Sequence, residues 1–208
     1  MFVRRIAVVG TGYVGLTTGD CLASLGHRVV CADVDEAKVE RLRAGEIGIR
    51  EDGLADLVVE GMAAGRLSFV VGASTALDEL AREGAPVEVM FLCVPTPMGV
   101  GGSADLGAVE AVLEETRAAL PTGAVVVNKS TVPVGTAERT AELLERADIG
   151  IVSNPEFLRE GSAVHDFLNP DRIVVGSAKQ DAAERVAALY ARLGAPTVLT
   201  DAASAEMI

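Results

Sequence analysis

A glycine-rich turn near the start of the chain limits the available folds more than any other feature. The apolar run Val3–Val9 leads directly into Gly10, Gly12 and Gly15, and an apolar helical pattern follows as far as Gly26. Gly10 would permit a tight turn from strand to helix, Gly12 would let the backbone approach a pyrophosphate, and Gly15 would let the helix pack closely on the strand. The pyrophosphate would then bind the free N–H groups at the helix start. This pattern predicts a dinucleotide-binding unit.

A carboxylate follows at the place where such a unit would hold a ribose. Asp33 comes directly after the second predicted strand, Arg28–Ala32, and lies 23 residues after the first glycine of the turn. It can accept hydrogen bonds from both ribose hydroxyls and would repel a 2′-phosphate, which predicts NAD as the cofactor instead of NADP. Asp35 is the alternative carboxylate, but it is interpreted as a cap for the helix beginning near Glu36. Lys38 is interpreted either as reaching toward the adenosine phosphate region or as an exposed helical lysine.

Strand-like and helix-like segments alternate along the whole chain, without internal repeats. The predicted strands are Val3–Val9, Arg28–Ala32, Leu67–Val71, Val87–Val94, Ala124–Asn128, Ile149–Ser153, Arg172–Gly176 and Thr197–Thr200. The predicted helices are Tyr13–Leu25, Glu36–Ala44, Leu54–Ala64, Leu106–Leu120, Thr136–Arg146 and Gln180–Leu193. Strand runs that are apolar on successive residues are typical of parallel strands covered on both faces. We therefore expect an α/β fold with a doubly wound parallel sheet, a Rossmann-like NAD-binding domain whose ligands bind at the carboxyl ends of the strands.

The charge and the cysteines narrow the class of protein further. A formal net charge of −12 argues against nucleic acid or an anionic membrane as a partner, since both require a basic surface. No apolar run approaches the roughly 18 residues of a transmembrane helix, and the glycines of the turn interrupt the apolar stretch that resembles a secretion signal. Cys21, Cys31 and Cys93 lack a CxxC spacing. They predict buried thiols of a reduced, cytoplasmic protein, without disulfides or metal ligands.

Two later loops follow predicted strands and carry hydroxyl groups. The segment Pro95–Pro97 would form a rigid loop that holds the Thr96 hydroxyl toward a ligand, or a merely structural turn. Ser130 and Thr131 follow another strand and are expected to be free to face the crevice. Thr136 is predicted to be the N-cap of the next helix.

The segment Ser153–Asp171 has little regular apolar period and an acid- and base-rich centre. Glu156 and Glu160 stand four residues apart and could share one face of a short helical turn. One of them could act as a general base on a substrate or water, while the other could be a structural partner of Arg159 or Arg172. Together with the glycine-rich turn, the segment indicates the substrate-facing loop of an oxidoreductase.

Five motifs, in this order and spacing, resemble the UDP-glucose 6-dehydrogenase family of nucleotide-sugar dehydrogenases. They are GTGYVGL (Gly10–Leu16), VPTP (Val94–Pro97), NKSTVPVGT (Asn128–Thr136), NPEFLREGSAVHDF (Asn154–Phe167) and SAEMI (Ser204–Ile208). The resemblance covers essentially the whole chain, and the NPEFLREG stretch is highly specific. Related dehydrogenases of GDP-mannose or UDP-N-acetylmannosamine differ in this stretch and in STVPVGT, so the resemblance favours UDP-glucose as the substrate.

The resemblance implies an activity and a set of site residues. The family oxidises the sugar C6 alcohol to a carboxylate in two NAD-dependent hydride transfers, through a thiol-linked intermediate. By resemblance, the NAD contacts are Gly10, Gly12, Tyr13, Val14, Gly15, Asp33, Lys38, Thr96, Ser130, Thr131 and Glu160. The residues that meet the UDP-sugar are Glu156, Phe157, Leu158, Arg159 and Glu160. Thr131 and Glu156 resemble the catalytic pair that positions water and assists proton transfer.

Departures from the family pattern predict a partial enzyme. The family's catalytic cysteine, the lysine and asparagine that follow SAEMI, and the central and UDP-binding domains are absent. We expect residues 1–200 to form the NAD-binding domain and residues 201–208 to begin a truncated linking helix. Such a chain is expected to bind NAD weakly and to be inactive alone, as part of a homo-oligomeric parent enzyme in polysaccharide biosynthesis. The alternatives are another nucleotide-sugar dehydrogenase or a stand-alone NAD-binding module.

Overall fold

The computed structural model describes residues 3–208, apart from the side chain of Val100. Met1 and Phe2, with which the predicted domain begins, lie outside the described residues. The strands are β1 Arg5–Val9, β2 Arg28–Asp33, β3 Leu67–Val71, β4 Val89–Leu92, β5 Val125–Asn128, β6 Gly150–Ser153, β7 Ile173–Gly176 and β8 Thr197–Thr200. The helices are α1 Tyr13–Ser24, α2 Glu36–Arg43, α3 Leu54–Ala63, α4 Ala73–Arg82, α5 Gly107–Thr116, α6 Thr136–Leu144, α7 Ala163–Leu168, α8 Gln180–Ala187 and α9 Ala202–Glu206, with 3₁₀ segments at Val100–Gly102 and Ala188–Leu193.

All eight strands form one sheet in the order β3-β2-β1-β4-β5-β6-β7-β8. The first six strands along the chain are parallel to one another, in the 3-2-1-4-5-6 order of dinucleotide-binding folds. The chain therefore winds outward in both directions from β1 and β4. This arrangement confirms the predicted doubly wound α/β fold and opens a crevice at the carboxyl ends of those two strands.

The sheet departs from the predicted all-parallel arrangement at one pair of strands. β7 is antiparallel to β6 through the pair Ser153 and Gly176, and β8 is parallel to β7. The connection between β6 and β7 spans residues 154–172, and its only helix is the six-residue α7. A helix of that length rises about 9 Å, too little to return the chain to the opposite end of the sheet. The next strand therefore starts at the edge where β6 ended.

The core consists of two apolar layers, one on each face of the sheet. Because side chains alternate along a strand, Ile6 and Val8 join one layer while Ala7 and Val9 join the other. Helices α1, α3, α7 and α8 cover the first face, and α4 and α5 contribute to the second. The successive apolar residues of the predicted strands thus reflect burial on both faces.

The sequence pattern misses two helices and extends a third too far. The buried face of α4 is formed by Ala73, Ala76, Leu77 and Leu80, a regular helical spacing that the sequence reasoning overlooked. Helix α7 is too short to show a clear period. The predicted helix Gln180–Leu193 changes to 3₁₀ geometry from Ala188 onward. The remaining bounds differ from the predicted ones by a few residues at element ends.

The chain's last helix and its cysteines agree with the expected patterns. The helical character expected after Thr200 corresponds to α9, while the division of the chain into domains stays a prediction. Cys21, Cys31 and Cys93 are buried and unbridged, as predicted for packed thiols. Within residues 3–208, none of the helices combines the length and the apolar character needed to cross a membrane.

Candidate functional site

A crevice of about 540 Å³ lies at the carboxyl ends of β1, β4 and β5. Its volume falls within the roughly 300–1,000 Å³ that is usual for ligand sites. The residues predicted from sequence that line it are Gly10, Gly12, Tyr13, Val14, Asp33, Lys38, Thr96, Ser130 and Thr131. The topology therefore brings together predicted residues from four separate segments of the sequence.

The three glycines of the turn have different structural roles. Gly10 has φ +96°, and a Cβ there would lie 2.4 Å from the Cys93 carbonyl oxygen. A Cβ on Gly15 would lie 1.9 Å from the Gly10 carbonyl oxygen. Both glycines are therefore required by the packing of the chain itself. A Cβ on Gly12, in contrast, would have nothing within 4 Å, so the space beside Gly12 is available to a ligand.

The start of helix α1 is suited to an anion. Gly12 is its N-cap and supplies no side-chain acceptor, and the first turn carries no acidic residue. Backbone N–H groups at a helix start lack intrahelical partners and lie at the positive end of the helix dipole. The open space beside Gly12 and this helix start together fit the pyrophosphate of a dinucleotide.

Asp33 is held as a carboxylate at the rim of the crevice. Its Oδ2 accepts hydrogen bonds from the Thr11 backbone N–H at 2.9 Å and the Thr11 hydroxyl at 2.6 Å. The same oxygen accepts a hydrogen bond from Lys38 Nζ at 2.8 Å. Partial burial raises the pKa of Asp33, but the hydrogen bonds from Lys38 and Thr11 outweigh this effect and hold the pKa well below its usual range.

Oδ1 of Asp33 carries fewer bonds than Oδ2. It accepts the Asp35 backbone N–H at 3.1 Å. A carboxylate oxygen has two lone pairs, so Oδ1 retains capacity for a ribose hydroxyl. Lys38 is not the exposed helical lysine of the second prediction, because it lines the crevice with its ammonium paired to Asp33. Its contact with the cofactor stays a prediction. The predicted cap by Asp35 is confirmed: its side chain accepts the Lys38 backbone N–H at 3.0 Å.

The loops after β4 and β5 are joined by their own hydroxyl groups. Thr96 Oγ1 donates to the Thr131 carbonyl at 2.8 Å, and Ser130 Oγ donates to the Val94 carbonyl at 2.7 Å. The Ser130 hydroxyl is therefore not free in the predicted sense, since its proton is used by the backbone. The Thr131 side chain is exposed in the crevice.

The predicted N-cap at Thr136 is wrong. Gly135, with φ +97°, is the N-cap of α6, and the hydroxyl of Thr136 donates to the Pro133 carbonyl. The cap is provided instead by Glu206 of α9, whose carboxylate accepts the Gly135 N–H at 2.8 Å and the Ala137 N–H at 2.7 Å. A partner about 70 positions away cannot be recognised from the local sequence.

The 154–162 loop connects β6 to α7 and runs separately from the crevice lining. Residues 154–159 have no regular secondary structure, so the predicted helical turn shared by Glu156 and Glu160 is wrong. Glu156 instead accepts the backbone N–H of Leu158 at 2.5 Å, and Glu160 is exposed.

Arg159 pairs with neither of these glutamates. Its guanidinium forms a two-point ion pair with Asp166, at 3.0 and 2.7 Å. Arg172 was the other predicted partner of these glutamates. Its guanidinium lies instead 4.8 Å from the ring centre of Phe157. Glu156, Phe157 and Leu158 line a second, small cavity of about 40 Å³ beside the loop.

Lys129 is a candidate site residue that the sequence reasoning missed. It is 5% exposed and lines the small cavity together with Glu156. Its Nζ lies 3.3 Å from Asn154 Oδ1, which also accepts the Tyr190 hydroxyl at 2.7 Å. Burial lowers the pKa of Lys129 to about 8. The available signal was a lysine directly after the buried strand Val125–Asn128, a position where its side chain is easily buried.

A second groove, of about 700 Å³, lies beside α6 and α9 and shares no lining residue with the crevice. The starts of α6 and α9 line this groove, but they are already capped by the carboxylates of Glu206 and Asp201. The start of α1 in the crevice has no such cap, so the crevice is the better candidate for binding an anionic ligand.

The strand order, the glycine-rich turn and the carboxylate after β2 define a dinucleotide-binding domain. The chain belongs to the UDP-glucose/GDP-mannose dehydrogenase family, as its NAD binding domain, and the match to the family model spans residues 4–194.

Comparison with individual relatives supports the same family. The chain is 43% identical to UDP-glucose 6-dehydrogenase TuaD of Bacillus subtilis, over 99% of this chain and 44% of that protein. It is 46% identical to UDP-glucose 6-dehydrogenase of Pseudomonas aeruginosa, over 90% of this chain and 42% of that protein. The chain thus spans about half the length of the curated relatives that it matches.

Solved structures show the same relationship. A UDP-glucose dehydrogenase from the archaeon Pyrobaculum islandicum superposes with a TM-score of 0.89 at 40% identity, over 99% of this chain and 48% of that one. A GDP-mannose dehydrogenase from Pseudomonas aeruginosa superposes with a TM-score of 0.88 at 32% identity, over 98% of this chain and 48% of that one.

Proposed function

We propose that this chain is the cofactor-binding half of a UDP-glucose 6-dehydrogenase, which converts UDP-glucose to UDP-glucuronate. The observation that carries the proposal is the crevice, where an open helix start and an ionised Asp33 lie in the positions that a dinucleotide requires. UDP-glucose is favoured over GDP-mannose because the relatives named for UDP-glucose are 36–46% identical, against 32% for the GDP-mannose enzyme.

Within this proposal each part of the crevice has a defined task. The helix start beside Gly12 binds the pyrophosphate, and Oδ1 of Asp33 accepts a ribose hydroxyl. The Asp33 charge also repels a 2′-phosphate. Bound NAD supplies the hydride acceptor. The loops carrying Thr96 and Thr131, which are joined by a hydrogen bond, would hold the nicotinamide end of the cofactor.

Proton transfer is assigned to residues beside the crevice. Each oxidation of an alcohol or a hydrate releases a proton together with the hydride, so a base is required. We assign the role of the base to Glu156. Thr131 would hold a water molecule between the loop after β5 and the 154–162 loop. Phe157, Leu158, Arg159 and Glu160 would then meet the sugar nucleotide. The ion pair of Arg159 with Asp166 makes Arg159 the least suited of these to a direct contact.

The setting of the reaction is part of the proposal. Residues 1–200 would form the NAD domain, and residues 201–208 would begin a linking helix to the second half of a homo-oligomeric enzyme. Three buried, unbridged cysteines suit the reducing cytoplasm. UDP-glucuronate is a sugar donor, which suits a role in polysaccharide biosynthesis.

Titration calorimetry of this chain with NAD and NADP tests the cofactor assignment. We expect NAD to bind at least tenfold more tightly than NADP, because Asp33 repels the additional phosphate. Asp33→Ala should weaken NAD binding and remove the preference. Glu40→Ala, which removes an exposed charge from α2, serves as the matched control and should leave both affinities unchanged. Equal affinity of the unmodified chain for the two cofactors would contradict the assignment.

A further inference from the structure

One wall of the crevice is formed by residues that no sequence motif predicted. Four of them lie on α5, at Ala108, Ala111, Val112 and Glu115. Positions spaced by three and four residues share one face of a helix, so α5 presents this face to the crevice. Ala73, the first residue of α4, lines the crevice as well. The wall therefore combines small apolar side chains with a single carboxylate.

The position of Asp33 indicates which part of NAD would meet this wall. In the proposed function Asp33 holds the adenosine ribose, and the loops after β4 and β5 receive the nicotinamide. The adenine base then lies at the opposite end of the crevice, beside the segments that follow β2 and β3. Val34 and Ala73 line the crevice in those two segments. Val34 is 84% exposed, so its apolar side chain is available to the flat face of a base.

Glu115 is held at this end of the crevice by the start of α4. Its Oε1 accepts the Ser74 backbone N–H at 2.7 Å, and the Ser74 hydroxyl donates to the main-chain carbonyl of Glu115 at 2.9 Å. The N-cap of α4 is Gly72, which has no side chain to accept these donors. Within residues 3–208, Oε2 of Glu115 has no hydrogen-bond partner. A carboxylate oxygen accepts up to two hydrogen bonds, so Oε2 is available to a donor in the crevice.

We propose that Glu115 makes the crevice specific for adenine, with Oε2 accepting a hydrogen bond from the exocyclic 6-amino group of the base. This inference rests on the proposed function, because it assumes that NAD occupies the crevice. Adenine carries a donor at this position, whereas hypoxanthine carries a carbonyl oxygen, which is an acceptor. An acceptor facing Oε2 would leave both oxygens unpaired. A site that hydrogen-bonds a donor strongly rejects an analogue that lacks it.

Titration calorimetry of this chain with NAD and with nicotinamide hypoxanthine dinucleotide measures the base preference. We expect the unmodified chain to bind NAD at least about tenfold more tightly, as a hydrogen bond to a charged group provides. Glu115→Gln keeps an oxygen for the Ser74 N–H and places an amide donor where Oε2 was, so it should reverse the preference. Glu115→Ala should bind both dinucleotides equally and more weakly than the unmodified chain binds NAD. Glu114→Gln, an exposed neighbour on α5 that does not line the crevice, is the matched control and should keep the original preference.

The outcomes separate base recognition from the proposed function. If NAD does not bind the unmodified chain, both proposals are overturned. If NAD binds but the hypoxanthine dinucleotide binds as tightly, only base recognition is overturned. An unchanged preference for NAD in Glu115→Gln would show that the carboxylate serves only to cap α4. If that variant fails to fold, Glu115→Ala decides the question, because a preference for NAD that survives there cannot come from Glu115.

Discussion

The glycine-rich turn and the 154–162 loop lie at the same end of the sheet but are held by different kinds of contact. The turn is fixed by backbone packing among Gly10, Gly15 and Cys93, of which the first two are five residues apart. The loop is held by side chains from distant segments, such as Glu51 at its carboxyl end and Tyr190 beside Asn154. Steric requirements of the first kind can be recognised in a short sequence. Contacts of the second kind exist only after the chain has folded.

Substitutions within the turn test whether steric packing and ligand binding are separable there. Gly15→Ala should destabilise the fold by more than about 3 kcal/mol, because its Cβ would overlap a backbone oxygen that cannot move away. Gly12→Ala should change stability by less than about 1 kcal/mol, since its Cβ enters open space. Its NAD affinity should nevertheless fall at least tenfold. Urea unfolding and calorimetry measure the two effects.

The two alanine variants act as controls for each other. Retained NAD affinity in Gly12→Ala would show that the pyrophosphate does not approach Gly12. A Gly15→Ala chain with an unchanged urea midpoint would show that helix α1 can shift away from β1 without loss. Either result would remove the distinction drawn between the turn and the loop.

The same distinction explains which features the sequence could predict. The strand order around β1 and β4, the burial of both sheet faces and the cap by Asp35 follow from local patterns, and all three are seen in the structure. The helical turn of Glu156 and Glu160 and the cap by Thr136 were wrong because Leu158 and Glu206 provide the actual partners. The antiparallel β7 depends on how far a short helix carries the chain, which apolar periodicity does not show.

A buried carboxyl group in α1 should make stability depend on pH. Asp20 is fully buried, both of its oxygens lack a hydrogen-bond partner among the described residues, and burial raises its pKa to about 8. Between its unfolded pKa near 4 and this value, the folded chain binds more protons than the unfolded one, so stability falls as pH rises. We expect Asp20→Asn, which keeps the shape, to be more stable than the unmodified chain by about 5 kcal/mol at pH 8.

The pH profile of the difference identifies its origin. The two chains should have nearly the same free energy of unfolding near or below about pH 3, where the carboxyl group is mostly protonated in both the folded and the unfolded state. Urea unfolding at several pH values between about 3 and 9 measures this. A difference that does not vary with pH would show that Asp20 does not titrate in this range.

Lys129, beside the 154–162 loop, should give a pH dependence of the opposite sign. Its pKa is lowered to about 8, so between that value and its unfolded pKa near 10.5 the unfolded chain binds more protons and stability rises with pH. We expect Lys129→Met to be more stable by about 2 kcal/mol at pH 7, with the difference vanishing above pH 10. Lys129→Arg, which cannot lose its charge, should be less stable than the unmodified chain. A stable Lys129→Arg chain would indicate that the site is hydrated.

The smallest effect is expected for the ion pair on the outer side of the loop. The Arg159 side chain is 77% exposed, although the Asp166 side chain that it bonds is only 10% exposed. Water screens the guanidinium, so the pair should contribute little. Arg159→Ala should leave the urea midpoint close to that of the unmodified chain, as should Arg139→Ala, which breaks pairs whose partners Glu110 and Glu142 are both exposed. A marked loss confined to Arg159→Ala would show that Asp166 holds the loop more strongly than Glu51 does. The 154–162 loop would then be fixed from its own sequence, and the contrast with the glycine-rich turn would weaken.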